Sequence, residues 1–328
     1  MKYTELHAHI EGTVTVKTLV TLIIKYKDSS IILPDYFSDY QKETIKNLYT
    51  LINNHSVIQE LEKYLYDRLV LNSPTKTLIE FLKRVPSKFL RYYIRSRDDL
   101  VFVIETTLAQ YGTDYDRIEL IFIPKSLENE WIKDDEIVKT FSDVWKKSAR
   151  KEKIGFVLSL RRTGIDVSPE NCFKIIDRYS KYVNVGISKL DICADENAIS
   201  YTELRESLDI LKNAKQNLTL HIGETTSRDM NFVLDNYPMV KQFNHGIQGA
   251  FDKNILSKLK RNDVLLTICP LSNIYTGVLT EEQVIAAIRT FKNYKIRYTI
   301  NSDDSTIING DVYAPYKYLL NKAPELLV

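Results

Sequence analysis

Short apolar runs, separated by polar turns and amphipathic stretches, set the pattern of this chain. Eight of these runs are rich in Val, Ile and Leu at successive positions, which is typical of strands buried on both faces of a parallel sheet. We predict strands at Tyr3–His7, Arg117–Ile123, Gly155–Leu160, Tyr182–Leu190, Leu218–His221, Val240–Asn244, Val264–Cys269 and Arg297–Asn301. Because helical patterns lie between them, the chain is predicted to form a closed α/β barrel, the (β/α)8 or TIM-type fold.

The segment between the first two predicted strands breaks this alternation. It contains helix-like stretches at Val16–Tyr26, Tyr40–Ile52 and Leu78–Leu90, which we expect to form a helical insertion that partly caps the barrel mouth. A doubly wound sheet is the alternative fold, but no Gly-x-Gly-x-x-Gly follows a predicted strand. No linker or low-complexity tract divides the chain, so we predict a single domain over residues 1–328.

Composition narrows the possible functions and locations. The 45 basic and 43 acidic residues leave a net charge of +2, which argues against nucleic-acid or membrane-surface partners. No apolar run is long enough for a transmembrane helix. Three cysteines, an odd number, favour buried thiols in a reducing compartment. The first strand begins almost at the first residue, which leaves no room for a cleavable leader, and we therefore expect a cytoplasmic protein.

Four of the five histidines lie at the carboxyl ends of predicted strands. His7 and His9 end the first strand, and residues two apart on a strand point to the same side. His221 ends the fifth strand and Asp303 follows the eighth. Strand ends of this kind meet at one rim of a barrel, and three imidazoles with a carboxylate suit a zinc ion that keeps an open position. A lone buried histidine is more often a core residue, but several on one rim indicate a metal site.

Further candidate residues flank this set. Glu224 follows His221 by three positions, and a partly desolvated carboxyl there can be protonated near neutral pH and act as a general acid. The alternative is a simple acidic residue at a helix N-terminus. His245 ends the sixth strand, where it can hydrogen-bond a water molecule at the metal, and Asp304 adds a second carboxylate beside Asp303. Arg161-Arg162 after the third strand either binds a phosphate or pairs with local carboxylates.

These residues fall in ordered segments that resemble the motifs of the adenosine/adenine/AMP deaminase family. The segments are His7-Ala-His9-Ile-Glu11-Gly12-Thr13, His221-Ile-Gly-Glu224, His245-Gly246, Cys269-Pro-Leu-Ser-Asn273 and Asn301-Ser-Asp303-Asp304. The resemblance implies one zinc ion per chain, held by His7, His9, His221 and Asp303, with a metal-bound hydroxide that attacks C6 of a purine as ammonia leaves. It also implies that Glu224 protonates ring N1, His245 orients the water and Asp304 contacts N7.

Departures from the family pattern concern the substrate. Ala194-Asp195-Glu196 stands where the family often has Gly-Asp-Glu, which keeps an N–H for purine N3 and adds a methyl group. Glu11 is common in the adenine-deaminase branch, whereas Thr276-Gly277 resembles the nucleoside branch. By this resemblance His9, Glu11, Ala194 and Asp304 contact the substrate. We predict deamination of adenosine or deoxyadenosine. The alternatives are free adenine, AMP or dAMP, an N6-substituted adenylate, or a nucleoside-binding homologue without catalysis.

The chain after the eighth strand is short. Residues Ser305–Val328 must cover that strand, and the segment Val312–Leu320 is unusually aromatic. We expect apolar barrel surface to be left bare and to be covered by a second copy or by a protein partner. The alternative is that the early helices fold back over this edge.

Overall fold

The computed structural model describes residues 2–27, 33–213, 217–308 and 311–327. Within these residues the chain forms parallel strands that alternate with helices. The strands are β1 (Tyr3–His9), β2 (Tyr115–Phe122), β3 (Ile154–Arg161), β4 (Ile187–Cys193), β5 (Asn217–Leu218), β6 (Leu220–Ile222), β7 (Gln242–His245), β8 (Leu265–Ile268) and β9 (Arg297–Ile300). β5 and β6 are two pieces of the fifth barrel strand, separated by Thr219. The described strands therefore form the predicted (β/α)8 barrel.

Hydrogen bonds run around the whole barrel. Strands β1 to β5 pair in order, and so do β6 to β9. Thr219 continues the hydrogen-bond ladder between β4 and the fifth barrel strand, because its amide donates to Leu190 O at 2.8 Å. The ring closes where Ala8 pairs in parallel with Asp303, just beyond β9. We call this junction between β1 and the end of β9 the seam.

Helices surround the barrel and also form the predicted insertion between β1 and β2. The insertion consists of α1 (Ile10–Thr13), α2 (Val16–Lys25), α3 (Asp39–Asn53), α4 (Ile58–Leu69), α5 (Leu78–Leu82), α6 (Ser87–Tyr93) and α7 (Arg97–Leu108). The jacket continues with α8 (Pro124–Leu127), α9 (Asp134–Lys147), α10 (Pro169–Tyr179), α11 (Arg205–Leu211), α12 (Met230–Asn236), α13 (Lys253–Arg261), α14 (Pro270–Tyr275), α15 (Glu281–Tyr294) and α16 (Ala314–Lys322). None of the helices in the described residues is both long and apolar enough to cross a bilayer.

Two predicted elements are corrected by the structure. The strand predicted at Tyr182–Leu190 begins only at Ile187 and runs to Cys193, because Asn184 and Gly186 adopt left-handed φ values of +60° and +103° that interrupt an extended chain. The single helix predicted at Leu78–Leu90 is two helices, α5 and α6. Pro86 lies directly before α6, and a proline disfavours helical geometry in the residue that precedes it.

The cysteines match the expectation from their number. Cys172, Cys193 and Cys269 are all free and buried. Each lies in a different part of the barrel, on α10, at the end of β4 and after β8. Cys172 and Cys193 act as small side chains in the packing, whereas Cys269 Sγ lies 3.4 Å from His7 Nδ1.

The aromatic segment near the end of the chain packs under the amino-terminal end of the barrel. The Tyr3 ring lies 4.7 Å from that of Tyr316 and 5.2 Å from that of Tyr313, between ring centroids. The Tyr316 hydroxyl donates to Thr4 O at 2.7 Å. Farther on, Leu326 is fully buried. The tail thus covers the start of β1, and association with a second copy or a partner stays a prediction.

Candidate metal centre and active site

Three imidazoles converge at the carboxyl end of the barrel. His7 and His9 lie on β1, and the strand alternation brings both rings to the barrel interior. His221 lies on β6 across the barrel. Its Nε2 atom is 2.9 Å from His7 Nε2 and 3.0 Å from His9 Nε2. The structure therefore brings together the three histidines that the sequence placed at strand ends.

The rings are oriented by hydrogen bonds on their far sides. His221 Nδ1 lies 2.9 Å from Asp191 Oδ2, a carboxylate oxygen that accepts the Nδ1 proton. His7 Nδ1 lies 3.3 Å from the Thr267 carbonyl oxygen and 3.0 Å from its hydroxyl. These partners leave a lone pair on each Nε2 atom, directed at the point where the rings meet.

Burial keeps these imidazoles neutral. It lowers the pKa of His7 to about 4 and, together with the neighbouring His221 ring, lowers the pKa of His9 to about 3. Burial also lowers the pKa of His221 well below its ordinary value. Neutral ring nitrogens whose lone pairs face one another at 3 Å repel unless a cation lies between them. The donor set therefore fits a divalent metal ion.

Asp303 supplies a carboxylate at the same place. Its Oδ1 atom is 3.9 Å from His7 Nε2 and 3.7 Å from His9 Nε2. The residue sits in the left-handed region with φ +58°, a conformation that costs free energy in a non-glycine residue. Hydrogen bonds across the seam hold it there: Asp303 N donates to His7 O at 2.9 Å and His9 N donates to Asp303 O at 3.2 Å.

Glu224 and His245 lie beside this centre. His245 Nε2 is 3.8 Å from Glu224 Oε1 and 3.8 Å from Asp303 Oδ2. Burial, with the nearby Asp303 carboxylate, raises the pKa of Glu224 well above its ordinary value, which is the direction that a general acid needs. Burial and Asp303 raise the pKa of Asp304 in the same way. The centre thus combines candidate metal donors with a candidate general acid.

A cavity of about 260 Å³ opens onto these groups. The predicted site residues that line it are His9, Glu11, Ala194, His221, Glu224, His245, Asp303 and Asp304. The insertion covers its mouth as expected, with an apolar wall made by Leu78, Phe81, Leu82 and Val85. Ala194 turns at the end of β4 with φ +80°, where the family resemblance expects a glycine, so it holds a strained backbone position.

Sequence reasoning missed the side chains that support the centre from behind. Asp191, which orients His221, also accepts hydrogen bonds from Ser159 Oγ at 2.5 Å and Asn244 Nδ2 at 3.0 Å. Glu196 accepts from Gly223 N at 2.5 Å and Thr225 N at 2.8 Å, which fixes the turn that carries Glu224. A charged residue inside an apolar strand, as Asp191 is in β4, was the available signal.

The arginine pair after β3 divides between two roles. Arg162 is fully buried, lies 3.8 Å from the Tyr201 ring centroid and donates to the carbonyls of Glu196 and His221. Because these contacts use the Arg162 side chain to hold the backbone in place, they argue against a phosphate contact. Arg161 lies on the cavity wall, where its Nε donates to Asp166 Oδ2 at 2.6 Å.

Comparison with known proteins finds relatives and solved structures that resemble this chain over most of its length. An adenosine deaminase from Clostridium botulinum is 25% identical over 323 residues, which covers 97% of this chain and 86% of the relative. The structure of Arabidopsis ADAL complexed with IMP superposes with a TM-score of 0.74 at 15% identity, covering 98% of this chain and 86% of that one. An amidohydrolase from Burkholderia ambifaria, with bound Zn, has a TM-score of 0.73 at 17% identity and covers 98% of this chain and 80% of its own.

The family itself follows from a match along nearly the whole sequence. The family model described as adenosine deaminase matches residues 3–324, which include every strand and every residue of the metal centre. This chain therefore belongs to the adenosine deaminase family of aminohydrolases.

Proposed function

We propose that this protein uses zinc to remove the 6-amino group of an adenine nucleoside by hydrolysis. Water and adenosine or deoxyadenosine give inosine or deoxyinosine and ammonia. The observation that carries the proposal is the meeting of three imidazole nitrogens at about 3 Å, next to the Asp303 carboxylate and the buried Glu224. His7, His9, His221 and Asp303 would hold the ion.

The side chains around the ion have distinct tasks in this reaction. A bound zinc ion would supply Lewis acidity, which activates water at neutral pH. His245, 3.8 Å from both Glu224 and Asp303, orients the attacking water. Glu224 donates its proton to ring N1, which makes C6 more electrophilic and so easier for water to attack. Asp304, whose pKa is raised by burial and by Asp303, donates to N7. His9 and the Ala194 N–H complete the contacts to the ring.

Glu11 supports a substrate that carries a hydroxyl group. Its Oε1 atom accepts from Ile123 N at 3.0 Å. Among the described residues, the buried Oε2 atom has no hydrogen-bond partner, and Glu11 lines the cavity. A buried carboxyl oxygen without a partner costs free energy, which a sugar hydroxyl would recover on binding. Glu11 is therefore assigned to the sugar.

A nucleoside monophosphate is the second candidate substrate. The likeness to ADAL complexed with IMP favours it, since IMP is a purine nucleotide. Arg161 is the one Lys or Arg among the described residues that line the cavity, and it is already paired with Asp166. That leaves no Lys or Arg without a carboxylate partner among the described lining residues to receive a phosphate. We therefore rank the nucleoside ahead of the nucleotide.

The test is the ultraviolet absorbance change on deamination, followed with adenosine, deoxyadenosine, adenine, AMP and N6-methyl-AMP on zinc-loaded protein. We expect the largest kcat/KM for a nucleoside. A larger value for AMP, lost in Arg161→Gln and raised in Asp166→Asn, would replace the nucleoside with the nucleotide. No turnover of any of the five by protein that holds zinc would contradict the proposed reaction and favour a nucleoside-binding homologue.

A further inference from the structure

A buried glutamate lies under the metal centre and has no place in the chemistry above. Glu5, on β1, is fully buried. Its Oε1 atom accepts from His7 N at 3.0 Å, and its Oε2 atom accepts from Ser302 N at 3.0 Å. One of these amides belongs to a proposed metal ligand, and the other immediately precedes the ligand Asp303. One carboxylate thus joins the two strand ends that meet at the seam.

The local backbone explains why this carboxylate is needed. The pairing register of β1 with β2 shifts between Glu5 and Ala8. Such irregularities re-aim side chains next to active sites and leave amides out of the ladder. In this interval the His7 amide donates to the Glu5 side chain. On the other side of the seam, Ser302 precedes Asp303, whose φ of +58° needs external support.

Other contacts at the seam hold the residues that flank Ser302. Leu6 N donates to Asn301 Oδ1 at 2.8 Å, and Asp303 N donates to His7 O at 2.9 Å. Between them, the Glu5 carboxylate is the partner seen for the Ser302 amide.

We propose that Glu5 is a positioning residue for the metal: its carboxylate bridges the His7 and Ser302 amides and so sets the spacing between the ligands of β1 and Asp303. The inference rests on the proposed metal centre. Both carboxylate oxygens are required, because each accepts from a different strand end. A neutral amide has one acceptor oxygen, and its NH2 group would face a second N–H donor.

The experiment compares zinc affinity, measured by competition with a chelator, in wild type, Glu5→Gln and Glu119→Gln. Glu119 is a matched control: it is a buried strand glutamate, but it accepts from Lys189 Nζ at 2.6 Å and Arg117 Nη2 at 3.0 Å. We expect Glu5→Gln to bind zinc about 10–100-fold more weakly, as outer partners of metal ligands typically do. We expect Glu119→Gln to bind as wild type does.

The melting temperature of the metal-free proteins separates positioning from plain stability. If Glu5 only stabilises the barrel, its variant melts lower without metal and yet binds zinc within about twofold of wild type, which would overturn the inference. Should Glu5→Gln fail to fold, Glu5→Asp replaces it, since its shorter carboxylate cannot span both amides. Unchanged zinc affinity in Glu5→Asp would equally overturn it. A wild type that binds no zinc would instead contradict the proposed metal centre.

Discussion

The two ends of the barrel bury different kinds of side chain. At the amino-terminal end, Tyr3, Tyr115, Tyr313 and Tyr316 pack ring against ring, with centroids 4.7–5.4 Å apart. At the carboxyl end, Glu11, Glu224, Asp303 and Asp304 are buried together, each at most 7% exposed. His245 and Asp303 there also hold left-handed backbone conformations. One end is held by packed rings, whereas the other buries acidic side chains and left-handed backbone conformations that cost free energy.

Of the substitutions considered, removal of a proposed metal ligand at the carboxyl end should have the largest effect on activity. Asp303→Ala deletes a carboxylate at the centre, and we expect loss of bound zinc and of measurable activity together. The matched control is Asp263→Ala, whose aspartate has a similar φ of +53° but lies exposed beside Arg297. Metal content by elemental analysis and the rate on the preferred substrate decide the matter. Full zinc and full activity in Asp303→Ala would exclude it as a ligand.

Loss of the acid should leave the metal in place. Glu224→Gln keeps the size of the side chain but has no proton to give, so we expect kcat to fall about 10²–10⁴-fold with zinc content unchanged. Single-turnover kinetics and metal analysis on the same sample provide the measurement. A rate within a few-fold of wild type would mean that another group protonates the ring.

A glycine-to-alanine substitution should lower activity at the carboxyl end of the barrel but not at the amino-terminal end. A Cβ added at Gly12 would lie 1.6 Å from Asp304 Oδ1, so Gly12→Ala must displace that carboxyl. We expect about a 10²-fold loss of kcat/KM, since small misplacements at a reacting centre have effects of this size. In the control Gly112→Ala, at the amino-terminal end, the added Cβ meets the tips of Asp114 and Tyr313, which can move. Equal activity losses in both variants would contradict the contrast.

The helical insertion offers a test through pH. Burial acts to raise the pKa of Asp99, but hydrogen bonds from Lys25, Tyr26 and Ser96 outweigh it and lower the pKa below the ordinary 3.8. A depressed pKa in the folded state gives stability that is present above pH 3.8 and lost as the pH falls through the folded-state value. Asp99→Asn should lower the free energy of unfolding by about 1–3 kcal/mol at pH 7.

Denaturant titrations at pH 7 and pH 3 measure this effect. The difference between wild type and Asp99→Asn should shrink at the lower pH, because the wild-type carboxylate is then partly protonated. Activity per folded molecule should not change. A difference that is the same at both pH values would show that the charge of Asp99 contributes nothing.

The smallest effect is expected at the aromatic end. Tyr316→Phe keeps the ring packing but removes the hydroxyl that donates to Thr4 O, so we expect a loss of about 1 kcal/mol in the free energy of unfolding. Because this hydroxyl lies at the end of β1 away from the metal ligands, kcat should stay at the wild-type value. A fall in kcat without a fall in stability would link the two ends of the barrel.

The amino-acid pattern was enough to locate the strands and the chemical groups for a clear physical reason. A buried parallel strand is apolar on both faces, and the ends of such strands meet at one rim of a barrel. His7, His221 and Asp303 could therefore be assigned to one site from their positions along the chain. The start of β4 was misplaced because Val183 and Val185 continue the apolar pattern through a turn made by Asn184 and Gly186.

The supporting side chains could not be predicted in the same way. Glu5 and Ser302 lie 297 positions apart, and their hydrogen bond depends on a shift in strand register that no local pattern encodes. The sequence left Arg162 open between a phosphate and local partners, and its burial, its bonds to two carbonyls and its packing on Tyr201 decide in favour of a structural role. Partners that come from distant strands require the closed barrel to be known.

The seam also has a consequence for how the protein is made. A ribosome adds about 5–20 residues per second, so some 15–60 s separate the synthesis of Glu5 from that of Ser302, 297 positions later. During this interval β1 has no closing partner, and His7 and His9 lack Asp303. Native pairing of such distant segments makes folding slow. A nascent chain therefore cannot assemble the full proposed ligand set, and if the proposed centre holds zinc, the metal is expected to bind late, once the barrel is closed.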